Sequence, residues 1–396
     1  MTDAATKAVS RLSQPILFML GAFLPAILPF VRRAAPVILV LAAVFVIVHI
    51  FRNKLWREAL GNIPLRPLVL GICFLTWASI TCFWAPVFVR SWQSVASGWL
   101  IFVSSICLIL WPLKRDDRAD LLLALALSFA ALTVTIDLKT GGWLLQLIHS
   151  RPEPYRYNMV LVSLGVLSFA MFHDGLSLKQ PVRYVCLVLL FIAVISGESE
   201  TAKLSLLAGY LVLLVSQFVP LIFSIACFIA GVCAAWVIFL LTPNALGDLA
   251  QIWPTLAERG HAAERLQIWA AYSKFANAGL PLGWGVESVA YVPMTNFYAD
   301  APDLMKSWLE WLHPHNNVIQ IAAEMGWPGV VLGFVSCCAL VFWAHADERR
   351  RPARAGLVTA IIIVSLISHG FWQMWWWSAV VICLSFLSFA SELSRN

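Results

Sequence analysis

Charge is what this chain has least of. Of its 396 residues, 27 are Lys or Arg and 21 are Asp or Glu, 12% in all. Soluble domains carry about 25% charged residues, so an ordinary soluble enzyme is excluded. The nine cysteines lie inside or at the ends of apolar segments and no Cys-x-x-Cys occurs. Neither a disulfide framework nor a thiolate metal site is expected from that placement. The chain also lacks internal repeats, low-complexity tracts and any basic stripe, so nucleic acid is not an expected partner. The net charge of +6 reads instead as membrane topology.

What remains is apolar. Hydrophobic residues make up 61% of the chain, in recurring runs of about 18 or more residues, the length a helix needs to cross a bilayer. The expected fold is all-α: a polytopic membrane protein with about 12 transmembrane helices. The spans read as 13–31, 34–51, 67–85, 94–112, 119–137, 158–173, 184–197, 201–217, 219–241, 317–344, 355–371 and 375–391. Lys7 and Arg11 precede the first run in the manner of a signal peptide. No small-x-small cleavage site follows, and Pro25 and Pro29 interrupt the run, so a retained span is expected. An even span count places both termini on one face. Basic clusters around Arg52–Arg66, Lys114–Arg118, Lys179–Arg183 and Arg349–Arg354 mark that face as cytoplasmic. The chain then divides into nine spans with short loops over 1–241, a large extracytoplasmic loop over 242–316, and three spans over 317–396.

Polar residues concentrate in and around that loop. From His261, HAAERLQIWAAYSKFANAG reads as an amphipathic helix stopped by Gly279 and Pro281, with His261, Arg265, Trp269 and Tyr272 on one face. GLPLGWGVES follows as a Gly/Pro-rich turn whose backbone can approach a ligand. Asp300 and Pro302 then open a second short helix, DLMKSWLEWL, running into His313. The stretch from His313 to Gly333, HPHNNVIQIAAEMGWPGVVLG, carries a polar cluster straight into an apolar helix. Asn316, Gln320 and Glu324 stack there at i, i+4 and i+8, with Glu324 about 12 Å below Asn316. A carboxylate at that depth is either functional or interhelical hydrogen-bonding glue.

The chemistry these groups support is specific. His313 or His315, each with an unperturbed pKa of about 6.5, suits a general base at neutral pH, and Asn316 is placed to cap the helix. Arg151 and Arg156 come from a loop over 138–157, Lys203 from the junction SGESETAK, and Arg259 and Arg265 from the large loop. Converging, they could hold pyrophosphate oxygens; apart, they contact lipid headgroups or pair locally. The tryptophans, Trp269 among them, sit at the interface or stack on sugar, and WQMWWW at 372–377 reads as an interfacial belt.

Three features resemble the O-antigen ligase and polymerase superfamily. They are the ER-LQIW pattern at Glu264, Arg265 and Trp269 followed by PLGWGVES, the long loop itself, and an HN-x9-G-xx-G signature met by His315, Asn316, Gly326 and Gly329. The family's Ser-x-Arg/Lys-Thr/Gly-Ala junction reads Ser199-Glu200-Thr201-Ala202 here, with an acid where a base is expected.

The resemblance implies a GT-C-like O-antigen ligase of the bacterial inner membrane. Such an enzyme moves a glycan from an undecaprenyl-pyrophosphate donor to a sugar hydroxyl of lipid A–core, on the periplasmic side. His313 or His315 and Arg265 are then the catalytic candidates. Arg151, Arg156, Lys203, Arg259, Asn316, Trp269 and Tyr272 are candidates for holding pyrophosphate or glycan. Gln320, Glu324, Gly326 and Gly329 support the site. No cofactor and no metal is expected: the loop holds no Asp-x-Asp pair, and Asp300 and Asp303 read as helix-start residues. Two other readings stay open. One is an O-antigen polymerase, disfavoured by the single large loop; the other is a lipid or solute transporter, disfavoured by the missing repeats.

Overall fold

The computed structural model describes residues 15–54, 56–57, 65–110, 117–147, 154–172, 181–241, 245, 248 and 262–388. Arg151, Arg259 and His261 lie outside them. The described residues are helical, without strands. In chain order the main helices are α1 (Pro15–Ile27), α2 (Ala34–Arg52), α3 (Leu65–Thr81), α4 (Phe88–Leu110), α5 (Asp117–Lys139), α6 (Asn158–Ser168) and α7 (Pro181–Ser196). They continue with α8 (Glu200–Val215), α9 (Leu221–Leu241), α10 (Ala262–Ala278), α11 (Asn317–His345), α12 (Arg351–Ile367) and α13 (Met374–Ser388).

Each apolar segment read from the sequence thus contains a helix. Among the described residues six helices are long and apolar enough to cross a membrane, and α1, α6, α7 and α13 are shorter apolar helices. The protein is a polytopic membrane protein. Two boundaries differ from the sequence reading in ways that matter. α4 begins at Phe88 rather than 94, because Arg90, Gln93 and Ser94 are accommodated on one helical face. α12 ends at Ile367 rather than 371, leaving Ser368 to Gln373 as a polar turn. In the loop, the second short helix is Asp303–Leu309, with Asp303 rather than Asp300 in its first turn; Asp300 instead ends a separate turn of helix, Asn296–Asp300.

The helices pack as two groups. One core joins α1, α2, α5, α6, α7, α8, α12 and α13. The other joins α3, α9, α10, α11 and the segment between α10 and α11. α4 contributes Ile101 and Leu108 to the first and Val95 to the second. Within lipid, close approach of small residues substitutes for hydrophobic drive. α8 and α12 cross that way: a Cβ on Gly356 would lie 2.6 Å from the Gly209 carbonyl oxygen. One buried ion pair joins α7 and α5, Arg183 Nη2 lying 3.2 Å from Asp120 Oδ2. The Tyr157 hydroxyl donates to Asp137 Oδ2 at 2.7 Å near the other end of α5.

α11 is broken. Gly326 has φ 60° and ψ −158°, and Pro328 follows two residues later. Proline has no N–H for the Glu324 carbonyl, and its ring would collide with that carbonyl in a continuous helix. The turn after α10 replaces the lost ladder. Trp284 N–H donates to Ala323 O at 2.7 Å and Gly285 N–H to Glu324 O at 2.9 Å. Trp77 Nε1 donates to Met325 O at 2.8 Å, and Trp327 N–H turns away to Pro281 O at 2.8 Å. Each buried backbone group left unpaired would cost about 1–3 kcal/mol, so the turn and the break stabilise one another.

A Cβ at Gly326 would sit 2.1 Å from Pro281 O and would also face a positive φ. Gly326→Ala is therefore expected to destabilise the protein by at least about 1–3 kcal/mol. A thermal unfolding scan in detergent checks this, and an unchanged midpoint would contradict the account of the break.

Candidate active site

The site lies where α11 starts. Asn316 is its N-cap: Oδ1 accepts from Val318 N–H at 2.9 Å and Ile319 N–H at 3.1 Å. Its Nδ2 donates across to Leu366 O at 3.0 Å. With both ends of the amide engaged and the residue fully buried, Asn316 braces α11 against α12. The neighbouring Asn317 is the opposite case, buried with neither end of its amide hydrogen-bonded among the described residues.

Just before the cap, His315 adopts φ 53°, left-handed backbone uncommon for a non-glycine residue. Its Nδ1 lies 2.6 Å from Ser368 O. A carbonyl only accepts, so Nδ1 carries the proton and Nε2 keeps a free lone pair. His313 is in the other tautomer: its Nδ1 accepts the His315 backbone N–H at 3.3 Å, which leaves the proton on Nε2. The two rings lie 4.1 Å apart, centroid to centroid. The hydrogen bonds therefore distinguish the pair, His315 as base-competent and His313 as a donor.

A third histidine joins them from the turn after α12. His369 packs edge-on to Trp375 at 4.6 Å, and its Nε2 is buried without a hydrogen-bond partner among the described residues. Burial drives all three below the ordinary histidine value. His313 falls to about 3, with His315 and His369 adding repulsion. His369 also falls to about 3, with further repulsion from His315 and Arg265. His315 falls too, through burial and then Arg265, partly opposed by the Ser368 carbonyl.

Arg265 is thus a neighbour of the histidines. It is half-buried in the first turn of α10 and makes no hydrogen bond or salt bridge among the described residues. Burial lowers its pKa, while Glu200 and Glu264 hold it up. Glu200 belongs to the junction at the start of α8, which Ser199 caps by accepting Ala202 N–H at 3.2 Å. Lys203 pairs with Glu200 at 2.8 Å on the partly exposed first turn of α8.

The other expected ligands separate. Tyr272 is fully buried with its hydroxyl directed at the carbonyls of Val289, Leu309 and Trp311. It is a strut that holds the loop together, on the face that α10 turns inward. Trp269 packs edge-on to Phe239 at 5.0 Å, with its Nε1 buried and unpartnered among the described residues. Arg156 lies in the 3-10 turn Pro154–Tyr157. Gln320 donates to Glu324 Oε1 at 3.0 Å and accepts Phe371 N–H at 2.8 Å, and Trp372 Nε1 donates to Glu324 Oε2 at 2.5 Å. This network clamps the turn carrying Ser368 and His369 onto α11. The tryptophans of 372–377 are not an interfacial belt: Trp372, Trp375 and Trp376 are buried.

Below the histidines an apolar cavity of about 340 Å³ opens between the two helix groups. Leu75, Ile101, Trp236, Ile321, Ile362 and Trp377 line it, drawn from α3, α4, α9, α11, α12 and α13. Asn317, Leu366 and Phe371 stand at the end nearest the histidine pair and Ser368. Sequence reasoning missed His369 and Asn317. His369 falls inside the span read as 355–371, and Asn317 opens the span read as 317–344.

Residues 185–334 match the O-antigen ligase family. A protein of Rickettsia felis named "Putative polysaccharide ligase" is 23% identical over 82% of this chain and 81% of its own length. One of Rickettsia conorii with the same designation is 22% identical over 80% of this chain and 78% of its own. A third, of Rickettsia bellii, is 22% identical over 82% and 80%. The matched region holds Arg265, both histidines of the pair, Gly326 and Gly329, and over residues 185–334 the chain carries an O-antigen ligase domain.

Proposed function

We propose that the protein is an O-antigen ligase: it transfers a glycan from undecaprenyl pyrophosphate to a sugar hydroxyl of lipid A–core. In this reading all twelve apolar segments span a bacterial inner membrane, both termini are cytoplasmic, and residues 242–316 form a periplasmic loop over the site. The observation that carries it is His315, whose free Nε2 lone pair stands beside an uncommitted arginine above an apolar cavity. A general base, an anion holder and a slot for a lipid chain are what this transfer requires.

His315 Nε2 takes the proton of the acceptor hydroxyl as that oxygen attacks the anomeric carbon. The bond from this carbon to the pyrophosphate oxygen breaks, and its electron pair leaves on the pyrophosphate. Arg265, with Arg151, Arg156 and Arg259 as further candidates, holds the departing charge. Attack opposite the leaving group inverts the anomeric configuration. His313 Nε2–H and the Asn317 amide are donors on the same side. The polyprenyl chain occupies the apolar cavity. The loop holds no Asp-x-Asp pair, and arginines would neutralise the pyrophosphate in place of a metal ion.

A broken α11 with Gln320 and Glu324 inside the membrane also suits a transporter. Glu324, however, accepts from Gln320 and Trp372, one bond to each oxygen, so these groups close a seam rather than line a path.

Purified protein mixed with lipid-linked O-antigen and lipid A–core is expected to yield slower-migrating lipopolysaccharide, undiminished in excess chelator. Growth of the glycan on its polyprenyl carrier would indicate a polymerase instead. At matched expression, His315→Ala and Arg265→Ala are each expected to lose about 10²-fold or more in transfer, the scale of a lost general base or oxyanion partner. His313→Ala is expected to lose less; the reverse order would move the base to His313. The base form of His315 is neutral, and its pKa lies below the ordinary value. The acid limb of kcat/KM is therefore expected below about pH 6.5, and a limb above that would contradict the burial argument.

A further inference from the structure

The polar face of α4 takes no part in the chemistry above. Arg90, Gln93, Ser94 and Ser97 fall at i, i+3, i+4 and i+7, one stripe on an otherwise apolar helix. The stripe runs about 10 Å down from the first turn of α4. It forms one wall of a second cavity, about 290 Å³, whose other wall is Glu287, Tyr291, Trp372 and Met374.

That second wall is built, not incidental. Glu287 has φ 64°, left-handed backbone that turns its side chain toward α4. The Ser91 hydroxyl donates to Val286 O at 2.7 Å, and the Ser94 hydroxyl donates to Glu287 Oε1. Its Oε2 accepts no hydrogen bond among the described residues. Burial raises the Glu287 pKa, opposed by Ser94 and by Arg90. Trp372 is fixed by its bond to Glu324 Oε2, so its ring is a rigid surface. Trp372 and Met374 also line the apolar cavity, so the two spaces share a wall.

The chemistry of this lining is selective. A carboxylate oxygen left to accept, a guanidinium, an amide and hydroxyls, set against indole and phenol faces, suit a ring bearing several hydroxyls. A phosphate would meet Glu287, and a bare alkyl chain would strand the polar stripe. We propose that this cavity is a saccharide subsite, holding one hexose of a membrane-anchored glycan apart from the His315–Arg265 centre. The proposal deepens the ligase reading, since it assumes that a glycolipid is a substrate.

The test uses the full chain in a polyoxyethylene-ether detergent, titrated with dodecyl maltoside and followed by native mass spectrometry. Wild-type protein is expected to retain a maltoside, and Glu287→Gln and Gln93→Ala each to weaken retention about tenfold, or 1.4 kcal/mol. Gln93 is exposed, so its variant tests the subsite even if Glu287→Gln fails to fold. Equal retention by wild type and Gln93→Ala, or equal retention of dodecylphosphocholine, which shares the chain but not the sugar, would overturn the proposal. In the transfer assay Gln93→Ala is expected to raise KM for one glycolipid with kcat held, and the affected glycolipid identifies the occupant as donor or acceptor. Unchanged KM for both would also overturn it. Saccharide retention without any transfer by wild type would leave the subsite standing and remove the ligase reading.

Discussion

The break of α11 at Gly326 is the constraint on which the site depends. Pro328 withholds one donor and Gly326 bends the chain, so the carbonyls of Ala323, Glu324 and Met325 must find partners elsewhere. They find them in the turn after α10 and in Trp77 of α3. Because unpaired backbone groups are so costly away from water, this exchange fixes the large loop on the bundle. Arg265, on the helix that ends in that turn, is thereby brought beside the histidines at the start of α11. A glycine at the break thus helps decide where an arginine can be.

Around the site, polar groups divide into spent and unspent. Asn316, Gln320, Glu324 and Tyr272 have their hydrogen-bonding capacity used in holding α10, α11, α12 and the turn before α13 together. His315 Nε2, His369 Nε2, the Asn317 amide and the Arg265 guanidinium do not. Low dielectric strengthens every interaction made by the second set and penalises each while it is unmade. The histidines respond by staying neutral, and neutrality is the state in which His315 can accept a proton.

The two-group packing explains how lipid and water can meet here. Helices tied by close crossings such as Gly209–Gly356 leave an apolar cavity along their seam with the other group. The turn Ser368–Gln373 roofs that cavity and carries both polar and aromatic residues. Trp372, bonded to Glu324, separates the apolar space from the polar one lined by Arg90 and Glu287.

Much of this was legible from the order of residues alone. Apolar runs placed the helices because lipid demands continuous internal hydrogen bonding, and Asn316 announced a helix start because a short amide there caps two N–H groups. Arg265 and the histidine pair stood out because charge and imidazole are scarce in such a chain. The sequence could not separate His313 from His315, since that rests on which carbonyl or amide each ring nitrogen meets across the fold. It hid His369, whose neighbours come from elements distant in the chain, and the burial of Tyr272, Trp372, Trp375 and Trp376, because periodicity shows which residues share a face but not whether that face meets water, lipid or protein. The elements were local and the sequence alone determined them. The tautomers, the break's partners and the division of polar groups into engaged and unengaged arise from contacts between distant segments, and only the tertiary structure decided them.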